Sequence, residues 1–242
     1  MTIASFLRRP ASLLASTLLL FASPGHAALI QVTMTGLTDN TFVGAGDPCG
    51  TGLSGGNACN NKALVITVQV DTGAAPADQD GTAGHGFYQV VSPPAFLGAS
   101  ATIGGLPFAL PGVVTSSFGQ SVEMFDNIDS GLGFMVDRAQ FGVSGTSDTE
   151  SFSVSPNVLM TSGAFSGDTL DLLAGIVGSP LAFAGQLSLS NGAFNFSNAT
   201  GQVQGQYRLS QVAFSVVPAP PSLWLLGTAV AGLLGRRIRR VP

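Results

Sequence analysis

The sequence predicts an all-β fold: an antiparallel β-sandwich or jelly-roll-like body, with an N-terminal signal helix and a C-terminal single transmembrane helix. Two observations predict the body. Lys occurs once (Lys62) and Glu twice (Glu123, Glu150), yet these residues normally fill exposed helix faces. Apolar residues recur instead at every second position, the period of a strand with one buried and one wet face. The third observation is punctuation: Gly, Pro, Asn and Asp clusters such as "DTGAAPADQDGTAGHG", "SGTSD" and "SNG" break these runs at short intervals. With 45% apolar residues the chain can bury a core, and no fixed-period repeat or long linker divides it. Three regions follow: 1–27, a signal peptide; 28–216, one secreted β-sandwich domain; 217–242, a C-terminal segment with its own logic.

The N-terminal region begins basic at Arg8-Arg9 and continues apolar from Ala11 to Ala22. It ends in small residues that place a cut between Ala27 and Ala28. That is the three-part layout of an export signal, and its apolar stretch is too short for a membrane span. The Arg pair hints at twin-arginine export, but the residues around it match poorly. Export gives the two cysteines a meaning. Cys49 and Cys59 flank a Gly-rich loop, and an even count in an oxidising compartment predicts a disulfide. Such a link stabilises a short loop by roughly 2–3 kcal/mol. A metal on two Cys with no His nearby is the weaker reading.

The strands are justified in order. "LIQVTMT" sets Ile30, Val32 and Met34 against Gln31, Thr33 and Thr35. "ALVITVQVD" sets Leu64, Ile66, Val68 and Val70 against Val65, Thr67, Gln69 and Asp71. "FAGQLSLS" and "AFNFSNA" alternate likewise. In "QYRLSQVAFSVV", Tyr207 and Leu209 lead to Val212, Phe214 and Val216 with a change of parity, which predicts a bulge near Ser210-Gln211. One helix is expected in "SGDTLDLLAGIVG", capped by Ser166 or Asp168, with Leu170, Leu173 and Ile176 inward.

Chemistry is sparse. "GLSGG" (52–56) fits G-x-S-x-G around Ser54, but a nucleophile elbow needs a strand before it and a helix after it. In the trypsin-like order, His precedes Ser, whereas His85 follows Ser54. His85 lies between glycines in "AGHGFY" and reads as a solvated loop residue. In "DQDG", the alternating carboxylates Asp78 and Asp80 are a candidate calcium site. It is no EF-hand, since Gln89 holds the twelfth position, and Asp and Gly also favour a plain turn. Apart from that calcium, no cofactor is expected.

Glu123, Asp126, Asp129, Asp137 and Glu150 are the carboxylates open to a glycosidase pair, but no spacing singles out an acid and a nucleophile. Asn195-Phe196-Ser197 and Asn198-Ala199-Thr200 match a glycosylation pattern, though they also read as strand-edge polar residues. Phe87, Tyr88 and Tyr207 are candidate sugar platforms. Between the chain ends, Lys62, Arg138 and Arg208 face thirteen acidic residues, a net charge of −10. A body this acidic repels nucleic acid. No catalytic constellation emerges, so an enzyme is not expected.

The C-terminal region reads Val217-Pro218-Ala219-Pro220, then Ser222–Gly235, then Arg236, Arg237, Arg239 and Arg240. As a helix the apolar run spans about 21 Å, short of the roughly 30 Å hydrocarbon core. Trp224 at one end and the Arg cluster at the other are the anchors that make a short span workable, with the basic tail in the cytoplasm. The prolines separate it from the last strand.

This succession of extended motif, short span and Arg tail resembles the PEP-CTERM sorting signal of Gram-negative bacteria; Ala219 stands where the family pattern has Glu. The resemblance covers about 25 residues and implies an exosortase substrate. Such a protein would be exported, briefly anchored in the inner membrane, then cut and released to the cell surface or extracellular matrix. Members of that class are associated with the cell envelope, biofilm and exopolysaccharide. The expected partners are therefore exosortase, the export machinery and surface polysaccharide. The expected function is a non-enzymatic surface or matrix protein, with a carbohydrate-binding module as the alternative and a secreted hydrolase behind it.

Overall fold

The computed structural model describes residues 29–53, 55–92, 95–112, 114–129, 134–164, 166–170, 172–176 and 191–217. The strands are β1 (Leu29–Gly46), β2 (Ala63–Asp71), β3 (His85–Val90), β4 (Leu97–Ile103), β5 (Leu106–Ala109), β6 (Ser116–Asp129), β7 (Met135–Thr146), β8 (Ser151–Thr161), β9 (Asn191–Asn198) and β10 (Gly201–Val216). All ten lie in one antiparallel sheet of order β3-β6-β7-β8-β9-β10-β1-β2-β4-β5. The body is therefore all-β, but its strands form one continuous ladder. Two meanders, β6-β7-β8-β9-β10 and β1-β2-β4-β5, meet at the β10–β1 pair, and β3 lies at the edge beside β6. Among the described residues, the interleaved strand order of a jelly roll does not occur.

The continuous sheet folds over its own core and so becomes sandwich-like. Phe108 of β5, at one edge, stacks on Phe196 of β9 with ring centroids 5.0 Å apart. The buried Gln120 side chain of β6 accepts from the backbone N–H groups of Phe96 and Leu97 (2.9 Å each) and donates to the Leu97 carbonyl (2.6 Å). This ties the second strand of the ladder to the start of the ninth. The bend runs through the two longest strands, β1 and β10, whose pairing shifts register at Thr35/Gly36, Asp39/Phe42 and Val43/Ala45. Bulges supply the local twist that lets one sheet turn a corner.

Alternation places the core as expected. Ile30, Val32 and Met34 of β1 and Leu64, Ile66, Val68 and Val70 of β2 are buried, and they join Phe141, Phe152, Phe194 and Phe196 in one cluster. The parity change in β10 is real. Thr35 pairs with Gln211 and Gly36 with Leu209, leaving Ser210 as the extra residue. Its hydroxyl donates to the Thr35 carbonyl at 3.2 Å. Val216, expected inward, is 49% exposed, although Ile30 opposite it is buried.

The expected helix shrinks to one turn, α1 (Leu172–Gly175). Leu170, Leu173 and Ile176 are buried as read. Asp168 does not cap the turn: its carboxylate accepts from Gly84 N (3.0 Å) and its carbonyl from the Tyr88 hydroxyl (3.0 Å). Tertiary bonds to Gly84 and Tyr88 thus take the group that a longer helix needed at its start.

Cys49 and Cys59 are joined, with Cα atoms 5.7 Å apart. The signal peptide, the Ala27/Ala28 cut, "FAGQLSLS", Ser54 and residues 218–242 lie outside the described residues. Among the described residues, no helix is long and apolar enough to cross a membrane.

Candidate functional site

An open groove of about 570 Å³ lies where β1, β10 and β9 run side by side. Its origin is the bulge at Asn40-Thr41. Strict alternation from Met34 through Thr38 would turn Phe42 inward. Between the pairs Asp39–Gln206 and Phe42–Gln204, β1 carries two residues where β10 carries one, Gly205. Asn40 takes up the left-handed conformation (φ 46°). Thr41 turns into the core and is 2% exposed. Parity flips, and the Phe42 ring stands in solvent at 57% exposure.

Gly205 fits closely here: a Cβ would meet Thr41 Cα at 3.0 Å. The bulge is held by the loop leaving the disulfide. Asn60 Oδ1 accepts from both the N–H and the hydroxyl of Thr41 (2.7 Å each). Val43 N donates to the Gly56 carbonyl (3.0 Å), and the Thr38 hydroxyl donates to the Cys59 carbonyl. Besides Phe42, the groove presents Asn40, Asn57, Asn195, Gln204 and Gln206. Every polar side chain in that set is an uncharged amide, a donor and an acceptor in one plane.

The other candidates fall elsewhere. Tyr88 and Tyr207 are 6% and 1% exposed. They are core residues and cannot serve as sugar platforms, because their strand positions face inward; Phe87 is half-buried. Burial also pushes the Tyr207 hydroxyl well above its ordinary pKa.

Asp78 and Asp80 sit in a turn closed on itself. Asp78 Oδ1 accepts from Phe87 N (2.9 Å) and Asp80 N (3.1 Å), while Asp80 Oδ2 lies 2.7 Å from His85 Nδ1. His85 stacks on Phe125 at 4.1 Å, and the Arg138 guanidinium lies 3.9 Å from the Phe125 ring centre. Sequence reading missed this row, which cross-strand register sets: His85 opposes Phe125, and Phe125 opposes Arg138. No group of three or more His, Cys, Asp or Glu converges on a metal position among the described residues.

The remaining carboxylates are dispersed as local acceptors. Asp126 takes the Gly167 N–H (2.7 Å), Asp47 the Gly52 N–H (2.7 Å), and the buried Asp137 the Asn127 N–H (2.9 Å) at a second bulge. Glu123 lies within β6, and Glu150 and Asp129 stand at strand ends. Asn198 caps its own hairpin, accepting from Thr200 N (2.8 Å).

The turn at Asp78 has a testable pH signature. The Phe87 N–H, then the Asp80 N–H, hold its carboxyl below the ordinary value of 3.8. An acid with a lowered folded pKa lends stability above 3.8, which is lost as pH falls through the folded value. The Phe87 amide resonance is therefore expected to make its main acid-limb movement below pH 3.8. In Asp78→Asn that movement should vanish.

Comparison of the chain with protein-family models, with curated proteins and with solved structures finds no match.

Proposed function

We propose that the chain is an exported cell-surface or extracellular-matrix protein whose body is a non-catalytic β-sandwich scaffold. It is held briefly in the inner membrane by its C-terminal segment, and exosortase processes it there. The observation that carries this reading is the pairing of the first and last strands. Ile30 opposes Val216, and Val217 N donates to the Leu29 carbonyl at 2.8 Å. The chain therefore enters and leaves the sheet at one pole. The sorting motif begins at Val217, directly where the ladder ends, so a cut among residues 218–221 removes the anchor without touching a strand. The carboxylates support a scaffold over a hydrolase, since they are dispersed as turn acceptors.

Mass spectrometry of the exported protein tests this reading. The expected product ends near Pro218–Pro221 and lacks Arg236–Arg240, and Ala219→Glu speeds its appearance. A population that keeps Arg240 counts against processing, as does unchanged release after deletion of 218–240.

The amide groove favours a second reading within the same setting, a carbohydrate-binding module, with Phe42 in place of the tyrosines.

A further inference from the structure

We propose that the groove around Phe42 binds an uncharged, extended polysaccharide lying across strands β1, β10, β9 and β8. This rests on the carbohydrate-binding reading and names its site and ligand class. Three observations carry it.

The first is the bulge. A Phe at position 42 could have been buried by continuing the alternation, which is worth about 1.5–3 kcal/mol. The fold instead inserts a residue, Asn40, in an unfavourable backbone region, and so presents the phenyl ring to solvent. Bulges that re-aim a side chain are enriched beside functional sites. An exposed flat ring suits the apolar C–H face of a pyranose.

The second is register. Phe42 opposes Gln204, Gln204 opposes Asn195, and Asn195 opposes Ser153. All four are exposed, so they form one row across four strands. Neighbouring strands are about 4.8 Å apart, close to the length of one sugar unit. A chain laid along the row meets the ring, two amides and a hydroxyl in succession. In the next row Gln206 opposes Ala193, and that small side chain leaves space beside Asn195. Planar amides pair with vicinal hydroxyls, donating to one and accepting from the other.

The third is charge. The side chains facing the groove carry none. At its margin Asp39, next to Asn40 in β1, is paired with Arg208. The body around them is strongly acidic, so polyanions are repelled. An uncharged polymer meets neither an unpaired ion nor a repulsive field.

Affinity electrophoresis and calorimetry of the full chain in mild detergent test the site. The probes are uncharged polymers (β-glucan, α-glucan, galactomannan) and acidic ones (alginate, polygalacturonate). Wild type is expected to bind at least one uncharged polymer. Phe42→Ala should weaken that binding about tenfold, and Gln204→Ala and Asn195→Ala should weaken it by smaller factors. Val91→Ala, also an exposed apolar residue but outside the groove, should leave it unchanged. All four lie on the surface, and matched melting curves will certify their folds.

Full binding by Phe42→Ala and Gln204→Ala would overturn the groove while leaving carbohydrate binding intact. Failure to bind any uncharged polymer would overturn the carbohydrate reading itself. Preference for the acidic polymers would overturn the ligand class. Self-association that Phe42→Ala abolishes, without polymer binding, would assign the surface to a second copy and overturn the proposal.

Discussion

Gly192→Ala is expected to destabilise the protein by about 3 kcal/mol or more, beyond the usual cost of a tight core substitution. Gly192 sits in β9 opposite Tyr207 on one side and Pro156 on the other. The Tyr207 ring lies over it, and a Cβ would overlap the Tyr207 Oη and the Ser155 carbonyl oxygen. The ring cannot retreat, since Tyr207 is 1% exposed and packed against Phe194 at 6.3 Å. The carbonyl belongs to β8 and cannot move without parting two strands. Gly175→Ala is the control. Its Cβ would meet nothing within 4 Å, so its melting temperature should shift by less than the few degrees that about 0.5 kcal/mol produces. Equal effects of the two substitutions on a urea unfolding midpoint would refute the steric account.

The second large effect is expected from removing the disulfide. In Cys49→Ala/Cys59→Ala, the closed loop is released, which costs about 3 kcal/mol on the chain-entropy estimate. For a domain of this size that lowers the melting temperature by about 6–12 °C. The loss should also reach the groove. The segment following Cys59 holds the Thr41 bulge through Asn60, and Gly56 bonds Val43. Polymer binding is therefore expected to weaken in the double variant even at temperatures where the sheet stays folded. A melting point unaffected by reducing agent would show that the loop is held without its covalent link.

The fold was largely legible where packing alone decides it. Ile30, Val32, Met34 and the Leu64–Val70 series announced their buried face, because a half-wet strand can satisfy both faces in only one register. The Ser210 bulge was legible from the parity change between Leu209 and Val212. The Asn40-Thr41 bulge was not, since Phe42 and Val43 are both apolar and either parity reads plausibly across them. What decides it is Asn60, which lies in another segment. The same distance in sequence hid the Asp80–His85–Phe125–Arg138 row. The buried face of the α1 segment is legible and the longer helix is not: the Asp168 carboxylate bonds to Gly84 instead of to the following turn. The groove escaped because its residues come from three strands that only the closure of β10 onto β1 brings together.

That closure has a mechanical consequence. β10 is an interior strand, flanked by β1 and β9. It carries Gln204 and Gln206 at one end and leaves the sheet at Val217 at the other. A protein held at its C-terminal end while gripping a polymer at the groove is pulled along this strand, over roughly 40 Å of backbone. The pull is parallel to the strands, so the ladders on both sides resist together in shear, and no edge is available to peel open one bond at a time. With the proposed tether at one end and the groove at the other, β10 is the element best placed to bear tension.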